Sequence, residues 1–172
     1  SNTAFYEKII AGTGNITDYA TSLLRLSQML HEHYRQQPII IIDEYDTPIQ
    51  AGYINGFYEQ AIQFIRDLFS SALKDNPHIA FGFLTGILRV AKESIFSGLN
   101  NINVNSLLER RYSDYFGFTT EEVQTMATYY QADDKMSELQ EWYDGYKFGN
   151  TEIYNPWSVL KYFNNYCEAE PY

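Results

Sequence analysis

The sequence predicts an α/β protein: a parallel sheet crossed by helices, followed by a mostly helical second part. Three observations carry this reading. Four consecutive isoleucines, Ile39–Ile42, are β-branched and too few for a helix, so they read as a strand buried on both faces. A helical repeat from about Phe57 to Lys74 leads to a second apolar run, His78–Gly86. Strand, helix and strand within this length form a βαβ unit with a right-handed crossover. After about residue 118 helical signals dominate. The expected organisation is therefore a core over residues 1–118 and a helical, lid-like subdomain over 119–172.

Residues 3–16 carry little signal, and Gly12-Thr13-Gly14 reads as a turn rather than a phosphate loop, since it lacks a third glycine. Asn15 or Thr17 can cap a following helix, with Asp18 in its first turn. Tyr19, Leu23, Leu26, Leu30 and Tyr34 then recur at helical spacing to about residue 35. Pro38 stands just before the isoleucine run, where a strand tolerates it. Thr47–Tyr53 contains turn residues and reads as a loop. In the next helix, Phe57, Ala61, Phe64 or Ile65, Leu68 and Ala72 supply an apolar stripe, and Asp75-Asn76-Pro77 ends it.

Further on, Tyr112–Phe118 reads as a third strand or an extended segment. Thr119 and Glu122 have the spacing of a capping box for a helix running to about Tyr130. Asp133-Asp134 breaks it, and another helix covers roughly Lys135–Tyr143. Asp144–Asn150 is turn-rich, and Asn155-Pro156 opens the last helix with Asn as cap and Pro at the first position.

The isoleucine run stops on Asp43-Glu44. In open α/β sheets, ligands bind at the carboxyl ends of the strands. An apolar strand ending in Asp-Glu has the form of a Walker B element. There the Asp holds magnesium, which prefers oxygen ligands, and the Glu polarises a water that attacks a γ-phosphate. The alternative is an acidic pair that simply ends a strand at the surface. The second strand ends on Thr85, followed by Gly86. If the two strands are neighbours, its hydroxyl lies beside Asp43 and Glu44 and can touch the γ-phosphate or the attacking water; otherwise it is a small residue ending a strand. Arg89 and Lys92 follow, either facing a phosphate or standing as solvated charges. Arg110 and Arg111 form an adjacent basic pair that offers an arginine to a phosphate or, for at least one of them, a surface charge.

The formal net charge of −10 argues against this chain gripping a nucleic-acid backbone by itself. The single cysteine, Cys167, excludes an internal disulfide and suits a reducing cytoplasm. No apolar run approaches membrane-spanning length, so no membrane partner is expected. With 16 Tyr and 11 Phe, some rings can serve an interface, although core packing accounts for most. His31 and His33 are two apart on a helix and point in different directions, which argues against their sharing a metal.

A nucleotide hydrolase of this type also needs Gly-x-x-x-x-Gly-Lys-Ser/Thr to cradle the phosphates. None of the 10 glycines is followed by lysine. Either the chain is not a nucleotide hydrolase, or it is a fragment whose phosphate loop lies upstream.

Several short pieces, in order, resemble the bacterial AAA-ATPase-like family, a branch of P-loop ATPases frequently joined to a C-terminal nuclease-like domain of the PD-(D/E)XK type. They are Ile39–Asp46, Leu84-Thr85-Gly86, Ser94–Asn101, Phe116–Val123, Trp142–Gly149 and Tyr154–Ser158, and the resemblance covers roughly residues 15–166. It implies part of a P-loop αβα sandwich with a helical lid, magnesium on Asp43, water activation by Glu44, and a sensor at or near Thr85. It implies ATP and magnesium as cofactors of the whole protein. Family members carry an arginine-rich P-loop upstream of every piece matched here. This chain has none, so as a fragment it is expected to hold neither cofactor well. The absent strand would leave a sheet edge open, and self-association through it is expected. Two other readings stay open. One is a non-catalytic interaction module with a vestigial Walker B site. The other is a metal-dependent hydrolase or nuclease using Asp43, Glu44 and Asp46.

Overall fold

A computed structural model describes residues 2–87, 95–96, 99, 102–106 and 110–165. The chain divides into two compact units, residues 1–102 and 103–172. In the first, helices α1 (Asn2–Ile10), α2 (Ile16–Ala20) and α3 (Ser22–Tyr34) precede strand β1 (Ile39–Ile42). Then come α4 (Thr47–Ile54), α5 (Tyr58–Leu73) and β2 (Phe81–Leu84). The segment expected as one helix to residue 35 is two, because Thr21 interrupts it. Asn15 caps α2 in a capping box with Asp18, as its position suggests. Tyr6 ties α1 to α3 by donating its hydroxyl to the Ser22 carbonyl at 2.8 Å. Burial pushes this phenol up, with the Arg25 charge pulling it partly back, so the donor proton is retained at ordinary pH.

β1 and β2 pair in parallel, Ile39 with Phe81 through Ile42 with Leu84. The βαβ unit read from the sequence is therefore present, with α4 and α5 in its crossover. The segment Thr47–Tyr53 expected as a loop lies within α4 and is helical, because Pro48 occupies the first turn, where its missing N–H costs nothing. α5 lays Ile62, Ile65 and Phe69 onto the sheet, forming a core with Ile49 and Ile95 against which Ile42 and Leu84 pack. Gly82 permits the close approach of α5: a Cβ there would stand 2.6 Å from Leu73 Cδ2.

The isoleucine run is not buried on both faces. Ile39 and Ile41 are 60% and 70% exposed, and Phe81 and Phe83 are 59% and 49% exposed. Among the described residues the sheet has two strands and one covered face, beneath α5, so alternate side chains on each strand face outward.

The second unit is less helical than expected. It contains β3 (Phe118–Thr119), α6 (Thr120–Tyr129), a short 3-10 turn (Asp133–Lys135), α7 (Met136–Tyr143), β4 (Asp144–Phe148), β5 (Thr151–Tyr154) and α8 (Pro156–Asn164). The strands form an antiparallel sheet in the order β3-β5-β4. The turn-rich stretch before residue 150 is thus mostly a strand, and Gly149, at φ 56°, begins the two-residue turn into β5. Of the segment 112–118, only Phe118 pairs in a sheet. Thr119 and Asn155 cap α6 and α8 as the sequence indicates. Val123, Leu139, Tyr154, Val159 and Tyr162 form this unit's own core. No helix among the described residues is long and apolar enough to cross a membrane.

Candidate active site

The parallel register brings the ends of β1 and β2 together. The backbone continues the pairing past the strands: Thr85 N donates to the Ile42 carbonyl at 2.9 Å, and Tyr45 N donates to the Thr85 carbonyl at 3.0 Å. This places Thr85 beside Asp43, and its hydroxyl donates to Asp43 Oδ1. The same carboxylate oxygen accepts the Glu44 N–H at 2.9 Å. A hydroxyl and a backbone amide therefore fix the Asp43 carboxylate, although the residue is exposed to solvent.

Glu44 is held differently. Its φ is 51°, in the left-handed region that a non-glycine residue occupies at a cost of about 1–3 kcal/mol. Such strain persists only where surrounding structure imposes it. Here the imposing elements are the paired strand before Glu44 and α4 after it, with Thr47 N donating to the Glu44 carbonyl at 3.0 Å. The exposed side chain accepts a long 3.5 Å hydrogen bond from the Thr47 hydroxyl. The first turn of a helix follows directly, and its amide groups favour negative charge nearby.

Asp46, the third acid of the run, is only 1% exposed. Its Oδ2 accepts from Gln50 Nε2 at 2.9 Å. Gly86 lies against it: a Cβ at that position would come 2.6 Å from Asp46 Oδ1 and 2.7 Å from the Tyr45 ring. Asp46 is thus buried beneath the cluster with Gly86 close against it, while Asp43 and Glu44 are exposed. Sequence reasoning treats Asp46 only as one of three candidate metal ligands. It is the N-cap residue of α4, two before Pro48, but its side chain serves Gln50 rather than the cap. Among the described residues, no three His, Cys, Asp or Glu side chains are grouped to hold a metal. This removes the arrangement that the three-carboxylate hydrolase reading requires.

Arg89 and Lys92 lie outside the described residues. Arg110 and Arg111 belong to the second unit and are exposed, with the Arg111 guanidinium 5.0 Å from the Tyr112 ring centre.

The fold and this cluster define an α/β protein with an acidic pair and a hydroxyl at the carboxyl ends of adjacent parallel strands. The chain belongs to the predicted AAA-ATPase family, whose model matches residues 3–96. It is also 30% identical over 148 residues to a protein of Azotobacter chroococcum mcd 1 described as "Uncharacterized protein in vnfD 5'region". That match takes in 86% of this chain but 28% of the relative, so the chain spans less than a third of that protein's length. No solved structure matches.

Proposed function

We propose that Asp43, Glu44 and Thr85 are the Walker B and sensor half of a magnesium-dependent ATPase site. In this reading Asp43 positions magnesium, largely through water and the nucleotide's phosphates, as that ion prefers. Glu44 orients and deprotonates the attacking water, and Thr85 holds the Asp43 carboxylate while presenting its oxygen toward the γ-phosphate. The observation that carries the proposal is the Thr85 hydroxyl on the Asp43 carboxylate, which joins the ends of two parallel strands beside the solvent-facing Glu44. Arg89 is the candidate for a phosphate contact.

The phosphate loop, on this reading, is supplied by polypeptide beyond these residues. The uncovered face bearing Ile39, Ile41, Phe81 and Phe83 supports this, because a sheet of this class is covered on both sides. The much greater length of the relative leaves ample chain to do so. ATP turnover would then regulate an attached or partnered effector in the cytoplasm, a C-terminal nuclease-like domain being the candidate.

A second reading, a non-catalytic interaction module, rests on the exposed aromatic side chains of the second unit, among them Tyr129 at 81% and Trp157 at 75%.

Calorimetry with ATP and magnesium separates the two. Binding by the full-length protein and not by residues 1–172 is the expected result. Binding by neither favours the interaction module, and binding by the 172-residue chain alone overturns the account of the loop. The open edge and face also predict that the isolated chain self-associates. Light scattering during size exclusion is expected to give a mass above 20.1 kDa at high concentration, and Ile41→Lys to return it toward the monomer. A monomer at every concentration would remove this prediction.

A further inference from the structure

We infer that His31 and His78 form a two-imidazole site for a tetrahedral divalent cation of zinc's chemistry. The two residues lie 47 apart in sequence, one in the last turn of α3 and the other in the segment entering β2. Both are half-buried. Their Nδ1 atoms face each other at 3.3 Å, with ring planes at 64°. With no ion bound, one Nδ1–H can bridge the two rings at this distance, the tautomers setting which of them donates. The same distance equals the edge of a zinc tetrahedron: with Zn–N bonds of about 2.0–2.1 Å, two ligands at the tetrahedral angle stand about 3.3–3.4 Å apart. Octahedral neighbours at the same bond length would be closer, about 2.9 Å. Imidazole is a ligand that zinc accepts well, and an ion between the rings would replace the hydrogen that bridges them.

The backbone around the pair is fixed in advance. His78 N donates to Asn76 Oδ1 at 2.9 Å. The buried Asn76 amide in turn donates to Ser27 Oγ on α3 at 3.0 Å and to the Ala72 carbonyl at 2.8 Å. Gln37 Nε2 donates to the Pro77 carbonyl at 2.8 Å. The two residues before His78 are thus pinned to α3 and to the segment entering β1, so the ion meets ligands on a backbone already placed. Among the described residues no third protein ligand joins them. The remaining two positions belong to water or to a ligand from solution, which makes this an open, exchangeable site. A bound ion would clamp α3 to the entry of β2, the strand that leads into Thr85. The inference stands apart from the nucleotide reading and uses none of its residues.

The test uses the 172-residue chain stripped of metal. Zinc titrated by calorimetry is expected to bind once per chain and to raise the thermal midpoint. Cobalt is expected to give the intense visible bands of a four-coordinate ion. His31→Gln and His78→Gln are each expected to weaken zinc by roughly tenfold or more, since each removes one of two ligands. His33→Gln is expected to leave affinity unchanged. Circular dichroism in chelator confirms that the variants remain folded. Absence of zinc binding by the native chain overturns the proposal. So does equal affinity in the double variant His31→Gln/His78→Gln, which would assign the ion to surface carboxylates. Weak octahedral cobalt bands in the native chain would also overturn it.

Discussion

Glu44→Gln in the full-length protein is expected, on the ATPase reading proposed above, to lower the ATP turnover rate by about 10²–10⁴, the usual contribution of a positioned general base, with nucleotide affinity unchanged. Gln keeps the shape of Glu and can still accept the Thr47 hydroxyl, but it cannot take a proton from water. Its backbone would carry the same left-handed conformation, so the thermal midpoint should not move. Asp43→Asn is the informative contrast. If Asp43 holds magnesium as proposed, this variant weakens that hold, so the loss should appear in magnesium-dependent binding as well as in turnover. A steady-state phosphate-release assay beside calorimetry separates the two variants. Full turnover by Glu44→Gln would show that the water is activated elsewhere and would leave Glu44 as a strand-end acid.

The second large effect is on stability. Phe69 is 1% exposed, and its ring stacks on Phe96 at 6.4 Å between centres. It lies at the middle of the core that joins α5 to the sheet. Phe69→Ala is expected to cost about 3–5 kcal/mol, from lost burial and the cavity left behind. Against a typical total of about 5–15 kcal/mol, that brings the first unit close to unfolding at room temperature. Urea denaturation followed by far-ultraviolet circular dichroism measures it. Trp142 and Trp157, the two tryptophans of the chain, both lie in the second unit. Their fluorescence therefore reports whether that unit unfolds separately. A change in midpoint corresponding to less than about 1 kcal/mol would mean that the core relaxes around the cavity, contrary to the packing described.

Much of the first unit is legible in the sequence, because punctuation and hydrophobic pattern agree there. The isoleucine run, the stripe of α5 and the Asp75-Asn76-Pro77 break give strand, helix and strand without ambiguity. Asn15, Thr119 and Asn155 mark helix starts because a short polar side chain can reach an unpaired backbone amide only at that position. Where the reading fails, a residue type has two uses. Pro48 and Gly52 suggest a loop, yet proline in the first turn of α4 starts a helix. Gly149-Asn150 is correctly a turn, but it closes a hairpin, since β4 is short and its register shifts between Asp144 and Tyr146. Four like residues in a row carry no alternation, so nothing in Ile39–Ile42 can tell a sheet covered on two sides from one covered on one. In the candidate site, Asp43, Glu44 and Thr85 are visible because strand ends are where such groups collect. The His31–His78 pair is invisible, because neither histidine points to a partner 47 positions away until the helix and the strand entry are placed.

The contact between Thr85 and Asp43 spans 42 residues of chain. The entropy of closing a loop grows only slowly with its length, but the contact returns little until the intervening helices have docked. The cluster is therefore a late product of folding, and a peptide bearing Ile39–Asp46 alone could not reproduce it. Any local opening that breaks the pairing of β1 with β2 would separate the two strand ends. Amide exchange at Tyr45 and Thr85, whose N–H groups bridge the strands, would then report the integrity of the site from the backbone itself, with no nucleotide present.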